Sequence, residues 1–346
     1  MLTARSEARE GPPVATPARR LAPSALGPAL LALLLVLILA AYLSLIFGAV
    51  TLRPGAAFEA LFVSNDAFTR TVVWEIRFPR VLDAMVVGAS LGIAGALLQG
   101  VTRNPLADPA ILGLTAAAGL GSALVITINP QVPQWGIVMS AVGGGLVGGG
   151  ILFIVAWRGT MSPVRLALAG VAISAFFGAA IVGLLASART FLQTSLGFLA
   201  GGLYGAEWGE LQAMTPYVVA GMLVALLLGG RLNVLALGDD IAASLGLATD
   251  RTRAIIVSTA AVLTGASVAT AGLVGFVGLV SPHVTRSFAG QDHRFLIPLS
   301  GLVGATLVVI ADLGARLVIS PSEIPMGIIT AAIGAPFLLY IVKVRV

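Results

Sequence analysis

From residue 26 onward the chain keeps returning to apolar stretches about twenty residues long, such as "ALLALLLVLILAAYLSLIFG" at 29–48, and little constrains a fold more strongly. A helix of roughly 20 residues crosses the ~30 Å hydrocarbon core of a bilayer. Inside that core every backbone N–H and C=O must find its partner within the protein, which a helix achieves on its own. The runs predict ten spans, at about 26–48, 82–101, 110–128, 135–157, 164–186, 212–230, 254–271, 273–287, 297–314 and 326–342. Residues 254–281 form a nearly continuous run. Gly265, Gly272, Gly275 and Gly278 punctuate it and Pro282 closes it, so a break near Gly272 into two short helices is expected. Ten spans place both termini on one side.

Composition agrees. Of 346 residues, 58% are hydrophobic and 10% charged, with a mean hydropathy of +1.02; soluble domains carry about 25% charged residues. The chain has no cysteine, which excludes disulfides, thiolate metal sites and cysteine nucleophiles. A net charge of +5 fits arginine-marked cytoplasmic loops better than a nucleic-acid surface. Residues 1–24, with Arg5, Arg9, Arg19 and Arg20 among Pro and Ala, are expected to be a disordered cytoplasmic tail. The apolar run behind them is too long for the core of a cleaved signal peptide. With the N-terminus inside, fourteen of the twenty Lys and Arg residues fall on the cytoplasmic side and six outside, which supports that orientation. Four of the six outer arginines crowd into 53–80.

Glycines recur one turn apart, as in Gly88-x-x-x-Gly92 and Gly144-x-x-x-Gly148. Such spacing lets membrane helices approach closely. "GGGLVGGG" at 143–150 is therefore read as packing, since it lies mid-span without a lysine. "GAS" at 88–90 after Arg80 is echoed by "GAS" at 265–267 after Arg253, a faint sign of an inverted repeat.

Lys343 is the only lysine, and no glycine-rich loop precedes it. A Walker-type nucleotide site needs such a lysine for the β- and γ-phosphates. The chain is thus expected to have no ATPase site and no catalytic residue of its own. Gradient-driven carriers keep acidic or histidine side chains mid-membrane. The candidates here are few: Asp83 is expected to pair with Arg80, and Asp312 with Arg316, while His283 and His293 sit near span ends. A proton-coupled secondary transporter is the alternative from another class.

Energy then has to come from a partner, and "ALGDDIAASLGLATDR" at 236–251 offers a place to meet one. Gly238, Asp239 and Asp240 form a helix start with carboxylates at its positive end. Ile241 and Leu245, with Ala242 and Ala243, form a small apolar face, and Gly246 is a good stop. A helix lying on lipid would favour Lys and Arg on its polar face; one with aspartates suits a groove on a soluble protein.

Several blocks resemble a known family. "RFPRVLDAMVVGASLGIAGALLQGVTRNPLADPAILGL" (77–114), "LNVLALGDDIAASLGL" (232–247), "GLVGFVGLVSPHVTR" (272–286) and "ADLGARLVISPSEIPMGIITAAIGAPFLLYIV" (311–342) resemble, in order, the FecCD-type permeases of iron–siderophore, haem and cobalamin ABC importers. The resemblance runs from about 50 to 346. It implies an all-α, type II importer permease, residues 25–346, in the bacterial cytoplasmic membrane with both termini inside. It also implies a dimer with itself or a paralogous permease, two ATP-binding subunits that hold ATP and Mg, and an extracytoplasmic solute-binding protein. Residues 239–247 match the coupling helix that enters the ATPase subunit. Arg77, Arg80 and Arg316 match outward arginines that meet glutamates of the binding protein. Asn104 and Leu106 match one cytoplasmic gate, and Ser162, Pro163 and Val164 the other, where Pro163 and Val164 are less polar than in some members. Asp83 stands where an apolar residue is more usual. A ferric siderophore is the expected cargo, with haem and cobalamin as alternatives. Without Cys, and with two cytoplasmic His, iron would travel inside a chelator or porphyrin rather than on this chain.

Overall fold

A computed structural model describes residues 23–62, 66–156, 163–187 and 197–345, and these are helical with no strand among them. The tail expectation for 1–24 falls almost wholly outside the described residues. The chain runs through α1 (Pro23–Ile46), α2 (Pro54–Phe62), α3 (Ala67–Thr71), a π-helical stretch Val72–Arg77, α4 (Phe78–Thr102), α5 (Leu114–Ile128), α6 (Gln134–Ala156) and α7 (Pro163–Ser187). It continues through α8 (Trp208–Ala236), the short α9 (Asp239–Ser244), α10 (Thr249–Ala271), α11 (Val277–Ala289), α12 (His293–Leu317) and α13 (Met326–Arg345). The ten expected spans correspond to α1, α4 to α8 and α10 to α13. Seven of the helical stretches are long and apolar enough to cross a bilayer outright, while α5 and α13 are shorter apolar helices.

Three boundaries differ from expectation. The second span begins at Ala67, fifteen residues before the predicted 82, because α3 and the π stretch run into α4 without a break. Charged Arg70, Glu75, Arg77 and Arg80 hide that continuity from hydropathy. Secondly, the break at Gly272 gives one full-length helix, α10 with 23 residues, and one short one, α11 with 13. Gly272 makes the break with a φ of 65°, against the Phe198 backbone, where a Cβ would collide. Lastly, α9 ends at Ser244 rather than at 247.

At the centre stands α4, buried along most of its length and packed against α8, α10, α11 and α12. Its glycines make that possible. A Cβ on Gly88 would overlap the Gly304 carbonyl of α12, and one on Gly95 would overlap the Gly278 carbonyl of α11. Backbones this close pack by dispersion over the whole contact, which is what holds helices together in lipid. In α6, Gly144 and Gly148 meet Ala117 of α5 while Gly145 and Gly149 face Ala261 of α10, so these four glycines of 143–150 pack as expected, and Gly143 and Gly150 do not.

Two parts of the chain are built alike. Long α4 is followed by 15-residue α5, and long α10 by 13-residue α11. Gly88 of α4 abuts α12 as Gly265 of α10 abuts α6, and Ser90 and Ser267 each bond back to the carbonyl four residues earlier. The end of α4 meets the start of α10, so the two run antiparallel. The "GAS" echo therefore marks equivalent positions of an inverted arrangement.

Both short helices begin inside the bundle. Gly278 of α11 lies against Leu91 and Gly95, halfway along α4, and Gly113 before α5 lies against Ile173 and Ser174, halfway along α7. Irregular backbone at that depth must be satisfied by protein. Ser174 Oγ donates to the Ala110 and Ile111 carbonyls, and Asp108 accepts from Ala110 N at 2.8 Å.

Candidate coupling helix and gate

At one end of the bundle α4 stops, α8 stops and α10 starts, and α9 bridges between the last two. Gly238, with φ 116°, turns the chain out of α8. Asp239 and Asp240 then occupy the first turn of α9, where the helix dipole favours carboxylates. The helix closes with a Schellman motif: Leu247 N bonds to Ala242 O and Gly246 N to Ala243 O, with Gly246 at φ 82°. Ile241 and Leu245 point outward, 50% and 65% exposed, whereas Ala242 is fully buried against the chain's own core. The outer apolar face therefore consists of Ile241 and Leu245, one turn apart; Ala242 belongs to the inner face instead, and Ala243, though exposed, lies on a different side of the helix.

Asp239 fastens this helix to two long ones. Its Oδ1 accepts from Arg253 Nη2 of α10 at 2.6 Å and from Arg103 Nη2, just past α4. The hydrogen bond from Arg253 holds the Asp239 carboxyl below its ordinary 3.8, partial burial opposes this, and Arg103 adds to the lowering. Arg103 also donates through Nε, at 3.0 Å, and Nη2, at 2.6 Å, to the Leu235 carbonyl at the end of α8, where a cation suits the dipole. Arg103 ends α4 in a left-handed backbone, φ 50° and ψ 32°, a common helix stop that costs a residue with a Cβ about 1 kcal/mol or more. In the sequence Arg103 and Arg253 read as topology-setting charges, and Arg253 also as the marker of the "GAS" echo; local spacing does not bring Arg103, 136 residues away, to Asp239. The usable signal was an arginine at each span end flanking an acidic helix start.

Next to Arg103 comes the pair expected at the first gate, Asn104 and Leu106. Asn104 Oδ1 accepts from Leu106 N at 2.9 Å, and Asn104 N donates to Thr102 Oγ1 at 3.3 Å, so a side-chain turn sets the loop's direction. Both Asn104 and Leu106 are half-buried. Of the residues expected at the second gate, Ser162 lies outside the described residues, as do the side chains of Pro163 and Val164. Pro163 opens α7, a first-turn position that needs no N–H.

At the opposite end lie the arginines expected to meet the binding protein, and all three have partners within the chain. Arg77, Arg80 and Arg316 do not stand free at an outer rim. Arg77 is 6% exposed and donates to the Leu45 and Ile46 carbonyls, both at 2.7 Å, and to the Val50 carbonyl, closing the turn after α1 over α4. Arg316 is 4% exposed, with Nη1 at 3.1 Å from the Ser44 and Phe47 carbonyls and Nε at 3.2 Å from Asp312. Arg80 forks onto Asp312, Nη2–Oδ1 2.9 Å, and onto Glu323, Nη2–Oε2 2.8 Å. A guanidinium with five donors is well matched to carbonyls and carboxylates that must be satisfied away from water. Arg80 is consequently not paired with Asp83, as the one-turn spacing had suggested. Asp83 is fully buried, and among the described residues neither of its oxygens has a hydrogen-bond partner. Arg53 and Arg70 remain exposed at this end.

Comparison with known proteins decides the family. The sequence profile of the FecCD transport family matches residues 34–344. The chain belongs to that family. It is 36% identical over 315 residues to the Fe(3+)-citrate import system permease protein YfmE of Bacillus subtilis (strain 168), covering 91% of this chain and 94% of that one. It is 40% identical over 277 residues to the cobalamin import system permease protein BtuC of Halobacterium salinarum, covering 80% and 74%. Its fold matches a solved metal-chelate type ABC transporter in an inward-facing conformation, with TM-score 0.80, 31% identity and coverage of 92% and 99%. Residues 34–344 take in α9, the Asn104 turn and the buried arginines, so each is part of the FecCD unit.

Proposed function

We propose that this FecCD-family chain is the permease subunit of a binding-protein-dependent ABC importer. It passes an iron chelate, a ferric siderophore, across the bacterial cytoplasmic membrane. The observation that carries the reading is α9: a capped helix that exposes Ile241 and Leu245 at the end of a membrane bundle. A cytoplasmic ATPase supplies the groove that covers this face, and the permease forms a dimer around a shared path. Both termini then lie inside, with the α9 end cytoplasmic. The named relatives span iron-citrate, hydroxamate and cobalamin systems, which supports an iron chelate without separating it from cobalamin or haem. At the outer end we assign docking of the binding protein to exposed Arg53 and Arg70, with Arg77, Arg80 and Arg316 shaping the surface from within. Exposed arginine forks suit carboxylates on a wet rim.

The test is reconstitution in proteoliposomes with the cognate ATPase and binding protein. ATP-dependent uptake of a ferric siderophore, with haem and cobalamin as competitors, is the expected result. Uptake driven by a proton gradient without any ATPase would sink the reading in favour of a secondary transporter. Lys343→Ala should leave uptake nearly intact, since the chain hydrolyses nothing itself.

A further inference from the structure

Arg103 is held in a left-handed backbone conformation that few side-chain-bearing residues adopt, and the residue after it opens the gate turn. Outliers of this kind persist where the surroundings over-determine them, and they cluster at switching sites. The surroundings here are explicit. Arg103 reaches the Leu235 carbonyl with two of its nitrogens and shares Asp239 Oδ1 with Arg253. Arg253 is 5% exposed on its side chain, so its charge leans on Asp239 at 2.6 Å far more than on Asp250 at 4.0 Å.

We propose that Asp239, clamped between Arg103 and Arg253, is the positioning residue that transmits displacement of α9 to the gate turn at Asn104–Leu106. The inference rests on the importer reading above and deepens it by naming the link. The path is short: the Asp239 carboxylate, the Arg103 guanidinium, the Arg103 backbone, then Asn104. A flexible loop alone would transmit little, because its dihedrals absorb motion. A charge-assisted pair resists separation, and two further bonds to the Leu235 carbonyl hold the Arg103 guanidinium against the end of α8, beside the backbone that carries Asn104. Arg253 gives the same carboxylate a hold on α10. Since α4 and α10 are equivalent helices of the inverted arrangement, one acidic side chain steers both halves of the bundle. Within this scheme Ile241 and Leu245 make the grip on the ATPase, and Asp239 passes the motion on.

The experiment uses the reconstituted complex of permease, ATPase and binding protein. The chain has no cysteine, so Leu106→Cys provides a single thiol whose maleimide labelling reports the gate. In the otherwise unaltered complex, ATP with vanadate should change the labelling rate several-fold. Adding Arg103→Gln or Asp239→Asn should abolish that ATP response while hydrolysis continues, and cargo moved per ATP should fall about tenfold. Asp239→Glu should restore most of the response, which a purely structural loss would not show. Should Asp239→Asn fail to assemble, Arg103→Gln decides alone, since Arg253 still holds Asp239 there. An unchanged labelling response and unchanged cargo-to-ATP ratio in Arg103→Gln would overturn the proposal. If the unaltered complex neither assembles nor transports with ATP, the importer reading itself has failed, and this inference falls with it.

Discussion

Arg80 of α4 lies 2.9 Å from Asp312 of α12, and 232 residues of chain separate them. The bond joins the central helix to its most intimate neighbour at the end opposite α9. Glu323, between α12 and α13, completes the fork at 2.8 Å, and Arg316 reaches the same Asp312 from one turn further on. Two guanidiniums and two carboxylates thus balance in charge within a buried cluster, which explains how a membrane bundle tolerates them.

Breaking this cluster from one side should be worse than dismantling it. Arg80→Ala leaves Asp312, 2% exposed on its side chain, facing Arg316 alone. Removing one member of a buried pair costs about 3–5 kcal/mol. Thermal unfolding in detergent should show a large fall in Tm for Arg80→Ala, and a smaller fall for Arg80→Leu combined with Glu323→Gln, which removes one charge of each sign and leaves the Arg316–Asp312 pair in place. An equal or smaller loss in the single variant would contradict the burial argument.

Arg77 should behave as a clasp. Its guanidinium takes the carbonyls of Leu45, Ile46 and Val50, and each buried acceptor left unmade costs about 1–3 kcal/mol. Lysine, a point charge on a flexible stem, cannot serve three carbonyls in the same fork geometry. Both Arg77→Ala and Arg77→Lys should therefore speed proteolytic nicking between 47 and 53, with alanine the faster. Cleavage at the parental rate in both would mean the turn is held by Leu52 and its apolar neighbours instead.

Much of this architecture was legible because lipid simplifies the code. Runs of Leu, Val, Ala and Ile marked the spans, Gly272 marked a break, and Gly238, Asp239 and Gly246 marked a capped helix. Where charge entered a helix the reading weakened. Arg70, Glu75, Arg77 and Arg80 interrupted the hydropathy of a helix that in fact continues from Ala67. Direction was not legible at all. An arginine near a span end reads the same whether it faces solvent or turns back, and the carbonyls that decide the case for Arg77 lie 27–32 residues earlier. The same holds at the α9 end, where Arg103 and Asp239 are 136 residues apart. Local spacing favoured Arg80 with Asp83, and a tertiary partner with better geometry won.

Glycines inside the helices should divide sharply by what they touch. Gly88→Ala would drive a methyl into the Gly304 carbonyl of α12, and Gly95→Ala into the Gly278 carbonyl of α11. Neither obstacle is a flexible side chain, so the helices must part. Overpacking of this kind costs about 1–3 kcal/mol. By contrast, Gly143 and Gly150 of α6 have nothing within 4 Å of an added Cβ, and alanine there should be neutral or gain up to ~1 kcal/mol of helix propensity. Tm values of the four variants in one detergent make the comparison. Similar losses in all four would refute the packing account.

Acid should release α9 late. The groups facing Asp239 are Arg253 and Arg103, with Asp250 beyond Arg253 at 4.0 Å and Asp240 next in the chain. Arg253 first, and Arg103 after it, hold the Asp239 carboxyl below its ordinary 3.8 in the folded chain. A group whose folded value is lowered contributes its stability fully above the unfolded value, and loses it as pH falls through the folded one. Arginine stays charged across the whole range, so within the clamp it is Asp239 that takes up the proton. Backbone hydrogen exchange over 238–247, corrected for the intrinsic pH dependence, should accordingly stay protected through pH 5 and down to the ordinary carboxylate value. Protection should then decline as pH drops further. Asp239→Asn keeps the shape but cannot ionise, so its exchange should be faster at neutral pH and independent of pH above 3. Loss of protection in the parent between pH 6 and 5 would place the controlling titration elsewhere, and the clamp at Asp239 would not be what holds the helix.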